Sequence, residues 1–252
     1  MNTILKYIGL SLKKNFIHRI NGIMVIADTM IDCFSIWLLW ASLTEAGINI
    51  LNWNKQALQL FMGYSLISMS ISVLFVGSYD IEKHIINGTL DIYLIKPFNP
   101  IITILLERAN FLRYIITMPV GLVFVLKSVV LYDIVDIVLS IYVCIVSTVS
   151  VKLISVIIYE LSFWLKKTTS LARVAECIYS VATYPMTYIS GKLLSFFTHV
   201  IPIACIATIP TNLSIGQLQR TVVIAPTLCA FSFSLIVLFL WKAGIHKYES
   251  TN

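Results

Sequence analysis

Ile137–Tyr159 reads IVLSIYVCIVSTVSVKLISVIIY, 23 residues with one charged side chain, Lys152. Wound as an α-helix, this run is roughly 34 Å long, enough to cross the hydrocarbon of a bilayer. Runs of similar character occupy Gly22–Leu43, Ala57–Tyr79, Phe111–Leu131 and Val222–Trp241. Leu171–Ile189 is a weaker one, with Arg173 and Glu176 in its first turns and Pro185 near its far end. Hydrophobic residues make up 58% of the 252 and charged ones 12%, too apolar for a soluble domain of this length. Membrane-spanning strands would show ten-residue segments of alternating polarity, whereas these runs are unbroken. Helices must then satisfy the backbone in lipid, and the expected class is an all-α integral membrane protein with six transmembrane helices.

Orientation follows from the basic residues. With the N-terminus inside, 13 Lys and Arg fall in inner segments and 4 in outer ones (Lys55, Lys127, Lys192, Arg220), with Lys152 left inside a span. Both termini are therefore expected on the cytoplasmic side of a cytoplasmic membrane. Leu193–Ile209 is interrupted by His199 and Pro202 and is short for a crossing. It reads as a re-entrant pair of short helices on the outer side, because a full crossing would put the basic C-terminal tail outside. Residues 1–20 place Ile4, Leu5, Ile8, Leu12, Phe16 and Ile20 at helical spacing beside Lys6, Lys13, Lys14 and Arg19. That pattern predicts an amphipathic helix in the cytoplasmic interface, its basic face toward anionic lipid.

Several function classes drop out. The net charge of +6 sits at the ends of apolar runs, where it sets orientation, so no nucleic-acid partner is expected. His18, His84, His199 and His246 are scattered, and neither HExxH nor GxSxG occurs. The one Gly-Lys pair, Gly191-Lys192, lacks the rest of a phosphate-binding loop. No catalytic, metal or cofactor site is therefore expected in this chain. Cys33, Cys144 and Cys229 lie within apolar runs without paired spacing and read as small buried hydrophobes.

Between the second and third spans, on the cytoplasmic side, Ile85–Pro100 reads IINGTLDIYLIKPFNP. Gly88 can end a helical extension of the second span by taking positive φ. Thr89 can then cap a short helix whose first turn holds Asp91, and Pro97 and Pro100 stop it. Leu90, Tyr93 and Leu94 fall on one face of that helix, predicting an apolar patch presented to the cytoplasm, on lipid or in a partner's groove.

The order of these residues resembles a known arrangement. Glu82-Lys83, then Gly88-Thr89-Leu90-Asp91, then Leu94-Ile95-Lys96-Pro97-Phe98-Asn99-Pro100 is similar to the coupling segment of ATP-binding-cassette exporter permeases, notably the daunorubicin-permease-like (ABC type-two) group. Phe163-Trp164, Tyr184-Pro185, Ile201-Pro202, Ile209-Pro210 and the ending Trp241–Tyr248 resemble that family's layout over nearly the whole chain. The Ile245-His246-Lys247 ending departs from the more arginine-rich one expected. The resemblance implies one transmembrane permease domain over residues 1–252, with the interfacial helix at 1–20, a cytoplasmic coupling helix within 80–100 and the re-entrant segment at 193–209. It implies that Glu82, Gly88, Thr89, Leu90, Asp91, Lys96 and Pro97 dock a separate ATPase subunit that holds ATP and Mg. It also implies a second permease, identical or related, and export from a bacterial cell. Because few charged residues lie in the spans, the expected substrate is amphipathic or hydrophobic.

Those few charges form the second feature. Asp28 and Asp32 are four apart on one face of the first span, and Asp28 lies roughly 9 Å from the inner end, a depth similar to that of Lys152 in the fourth. A charge there costs at least ~2.5 kcal/mol on insertion scales, so the three are expected to face the bundle or water and to pair. They would line a substrate path or gate, or tie two helices together structurally. Arg173 and Glu176, three apart, read as an interfacial pair. The alternative function is an ion- or proton-coupled secondary transporter using Asp28, Asp32 and Lys152, although no internal repeat typical of such folds is visible.

Overall fold

A computed structural model describes residues 8–10, 12–13, 19–45, 53–128 and 132–248, and every regular element among them is helical. The interfacial helix expected over residues 1–20 lies largely outside the described residues. The long elements are α1 (Arg19–Glu45), α2 (Lys55–Ser72), α6 (Phe111–Leu126), α7 (Ile134–Glu160) and α12 (Ile224–Ile245). A 3-10 turn at Val73–Phe75 continues α2 into α3 (Ser78–Ile86), making one rod. Shorter helices are α4 (Asp91–Leu94), α5 (Pro100–Arg108), α8 (Ser162–Leu165), α9 (Thr169–Val181), α10 (Gly191–His199) and α11 (Thr208–Ser214).

Four stretches are long and apolar enough to cross a membrane: Ile20–Ser42, Lys55–Ile86, Ile134–Leu165 and Arg220–Ile245. A fifth requires α5 and α6 together, which meet at 79°. The third expected span is thus one arm of a bent pair. Ala109 leaves the helical region (ψ 128°), and the Asn110 side chain accepts the Arg113 N–H to start a new helix. The expected fifth span, Leu171–Ile189, is corrected more strongly: α9 stops at Val181 after 13 residues. Tyr184 precedes Pro185, a position biased away from the α region, and the backbone is extended at Pro185 and Ile189. Among the described residues, four single helices and one bent pair are long and apolar enough to span.

The chain nonetheless returns along the bundle between α8 and α12. Arg220 binds Asp136 at 2.6 Å and Asp133 at 2.8 Å, which holds the starts of α7 and α12 together, and the two helices pack side by side. The connection from the far end of α7 must therefore lead back to that level. Hydrogen bonds to the α2–α3 rod and its N-terminal flank mark its progress: Thr168 to Glu82, Tyr179 to Ser68 at 2.9 Å, Ser214 to Tyr64 at 2.6 Å, and Asn212 to Trp53 at 2.8 Å. Much of the backbone on this route is not helical. The turn at residues 203–207 is buried, so protein covers it, as irregular backbone at membrane depth requires, whereas in the stretch after Val181 Ala182 and Met186 are buried and Tyr184 and Tyr188 are exposed. The segment expected as re-entrant, Leu193–Ile209, takes in most of α10, this buried turn and the start of α11.

The rod is the most buried of the long helices, and α1 and α12 are the least. Its neighbours reach it through glycines. A Cβ on Gly121 of α6 would lie 2.9 Å from the Gly63 carbonyl oxygen, and one on Gly77 would lie 2.5 Å from the Ile104 carbonyl oxygen of α5. Small residues permit this backbone contact, the main packing device where lipid removes the hydrophobic drive. Trp40 and Trp53 each bring a ring to 5.4 Å from that of Phe61, near the start of the rod. A second cluster at the opposite end joins Ile81, Leu90, Ile104, Val156, Phe163 and Trp241.

Gly121→Leu should force α6 off the rod, an overpacking cost of about 1–3 kcal/mol that lowers the melting temperature by several degrees. Gly9→Leu, where nothing lies within 4 Å of an added Cβ, should leave it unchanged. Thermal unfolding of the detergent-purified chain compares the two.

Candidate functional site

A cavity of about 850 Å³ opens between α1, α2, α6, α7 and α9. On the α2 side, Ser65, Ser68 and Ser72 are three and four residues apart and line it from one helix face. Ser68 lies 2.9 Å from the Tyr179 hydroxyl and 2.9 Å from that of Thr148, so α2, α7 and α9 meet in one hydroxyl cluster. The Ser65 hydroxyl is buried without a hydrogen-bond partner among the described residues. Ile36, Met69, Val73, Phe75, Tyr79 and Tyr159 make the remaining wall largely apolar and aromatic.

The charges stand in pairs across this cavity. Arg113 of α6 donates to Asp28 at 3.0 Å and to Asp32 of the same helix, α1. Lys152 of α7 donates to Glu176 of α9 at 2.6 Å and lies 3.9 Å from the Tyr179 ring centroid. Ser155 donates to the second Glu176 oxygen at 3.1 Å. Asp32, Arg113, Lys152 and Glu176 all line the cavity, but the expected pairing of Asp28 and Asp32 with Lys152 is corrected. The packing of α1 on α6 offers Arg113 to the two aspartates, whereas α9 reaches Lys152 first. Glu176 correspondingly pairs with Lys152, where sequence spacing had suggested Arg173. Glu176 reads from sequence as interfacial because it stands in the first turns of an apolar run, and Arg113 stands in the same position of its own run.

The block between α3 and α5 is a built structure. Gly88 takes φ +66° and ends α3. Thr89, expected to cap the next helix, instead binds His84 Nδ1 at 2.7 Å, and α4 has no side-chain cap. Tyr93 donates to Glu107 of α5 at 2.6 Å, with Lys96 4.4 Å above its ring. Asn99 caps α5, whose first residue is Pro100.

The apolar patch expected from Leu90, Tyr93 and Leu94 is corrected at the first two. Leu90 and Tyr93 are buried in the second cluster, whereas Leu94 is exposed as expected, and the open face also carries Ile92, Ile95 and Phe98, with Ile95 85% exposed. A four-residue helix has too few positions for spacing to choose between its faces; the packing of α3, α5 and α8 chooses. Glu82, expected to meet a partner, is buried too: it accepts from the Thr168 N–H and from the hydroxyls of Thr168 and Thr169. Gly88, Thr89, Asp91 and Lys96 are half-buried and Pro97 is exposed.

The family described as ABC-2 family transporter protein matches residues 23–252. No curated protein and no solved structure matches the chain.

The pair at the cavity wall is asymmetric, because the Lys152 side chain is 7% exposed and that of Glu176 48%. Removing Glu176 strands a buried ammonium, whereas removing Lys152 leaves a carboxylate that water can reach. Glu176→Leu should therefore lower the melting temperature more than Lys152→Leu. The double variant should recover part of the loss, with a coupling of about 0.5–3 kcal/mol. Combining Lys152→Leu with Asp28→Asn should be additive.

Proposed function

The chain belongs to the ABC-2 transporter family, and we propose from that membership that it exports an amphipathic or hydrophobic substrate across the cytoplasmic membrane, driven by separate ATPase subunits. As an ABC transporter permease it works with ATPase subunits of that class; ATP and Mg would be held there and not in this chain. A second permease, identical or related, would close the open side of the cavity. The broken return from Thr169 to Ser214 would serve as the fifth crossing, bringing the count to six with both termini inside and the buried turn at 203–207 toward the outer face.

The observation that carries this reading is the face of the α4 block. Ile92, Ile95 and Phe98 are open on a segment fastened to α3 by the His84–Thr89 bond and to α5 by the Tyr93–Glu107 bond. A rigid block with an apolar outer face suits docking into a groove better than lying loosely on lipid. The docking contacts we assign are Ile92, Ile95 and Phe98, with Asp91, Lys96 and Pro97 at the rim. Gly88, Thr89 and Leu90 shape the block, and Glu82 belongs to its inner support. The cavity, lined by charges in pairs and by hydroxyl and aromatic groups, would form part of the substrate path. The gradient-driven alternative needs Asp28, Asp32 and Lys152 to act as one cluster, and they stand in two separate ion pairs.

Ile92→Asp combined with Ile95→Asp should leave the protein folded in the membrane but lower ATPase retention on gentle purification by about thirty-fold, the size of a 2 kcal/mol interface hot spot. Leu90→Asp should instead unfold the second cluster and lower the melting temperature. Full retention of the ATPase by the Ile92/Ile95 variant would remove the docking assignment.

A further inference from the structure

Glu82 stands at an unusual junction. It lies on α3, six residues before Gly88, and α3 is tied to the docking block through His84, which bonds Thr89 at 2.7 Å and sets its ring 4.6 Å from that of Tyr93. Its carboxylate reaches the start of α9, 86 residues later in the chain. Oε2 accepts the Thr168 N–H at 3.0 Å and the Thr168 hydroxyl at 2.7 Å, and Oε1 accepts the Thr169 hydroxyl at 2.7 Å. The first N–H groups of a helix lack partners within it, and α9 has no cap from its own N-cap side chain. Glu82 supplies that cap from another element, with negative charge at the positive end of the helix dipole.

The backbone just before this joint is under strain. Lys166 has φ +59° and ψ −61°, the sole positive φ outside glycine among the described residues. The Lys167 N–H closes on the Leu165 carbonyl at 2.7 Å, which makes a γ-turn of the hand that L-residues disfavour. Such a conformation persists where its surroundings over-determine it, and the bonds of Glu82 to the next two residues do so here. Downstream, Glu176 is seven residues past Thr169, roughly 10 Å along α9. There α9 holds Lys152 through Glu176 and Ser68 through Tyr179, both at the cavity wall.

We infer that Glu82 is a positioning residue that joins the docking block to the cavity, so that displacement of α3 shifts α9 through Thr168 and Thr169. This rests on the exporter reading for what displaces the block. The joint explains why a carboxylate beside the docking segment is buried and wholly engaged, and it makes α9 the wall that responds to nucleotide.

The test uses the full chain with its co-purified ATPase in lipid nanodiscs, carrying Ser180→Cys at the cavity in a Cys33→Ser, Cys177→Ser background. Maleimide labelling of position 180 is timed with and without a non-hydrolysable ATP analogue. The parent should change rate by about five-fold or more on nucleotide binding, the lower end of ordinary coupling between sites. Thr168→Val with Thr169→Val should keep the ATPase bound but label at a rate indifferent to nucleotide. Thr168→Ser with Thr169→Ser, which retains both hydroxyls, should restore the response; if the valine variant fails to accumulate, Glu82→Gln takes its place against the serine variant. A full nucleotide response in the valine variant overturns the joint. If the parent purifies without any ATPase, the exporter reading is what fails, and the joint is then judged by labelling without nucleotide: different rates for the valine and serine variants uphold it, and identical rates overturn it.

Discussion

Backbone contact at Gly63 and Gly121 lets α6 lie directly on the α2–α3 rod, and α1, α7 and α11 also pack on that rod, with α12 held through α7. With no side chain between them, the helices approach closely enough for the rod to be surrounded. Its polar side chains then face protein on every level: Tyr64 meets Ser214, Ser68 meets Tyr179 and Thr148, and Glu82 meets Thr168 and Thr169. The irregular return between α8 and α12 depends on these partners, because lipid offers none to unpaired backbone. A rod displaced outward by one side chain would leave that return without its supports.

The ion pairs follow the same logic at the seams on either side of the cavity. Arg113 fastens α6 to α1 through Asp28 and Asp32, and Lys152 fastens α7 to α9 through Glu176. Charges buried in an apolar bundle are tolerated when paired, and pairing here lets the wall stay polar without an isolated charge. Arg113 faces two carboxylates, and Asp28 remains the more exposed of them. Each pair therefore holds a seam shut while keeping part of a charged group accessible from the cavity.

The block between α3 and α5 shows where reading from sequence stops. Its punctuation was legible: Gly88 has the predicted positive φ, and the proline at 100 opens a helix capped by Asn99. These are local conformational demands, set by one residue and its neighbours. Which side of α4 faces out was not legible, because Leu90, Ile92, Tyr93 and Ile95 are all apolar and the helix is a single turn. Likewise Glu82 looks like a free surface carboxylate until α9, far away in sequence, supplies three donors to it.

The amino-acid sequence by itself determined the all-helical membrane class, the long apolar runs at Gly22–Leu43, Ala57–Tyr79, Ile137–Tyr159 and Val222–Trp241, and the polar block between the second and third runs. Hydrophobicity summed over a bilayer's thickness decides these, and such a sum needs no neighbours. Only the tertiary structure decided that the chain bends at Ala109, that α9 stops at Val181, and which charges pair. Proline and asparagine mark where a helix can end, but whether the freed backbone finds partners depends on elements distant in sequence. Depth along a span likewise says how much a charge costs, whereas its partner is whichever opposite charge the packing of helices brings within reach.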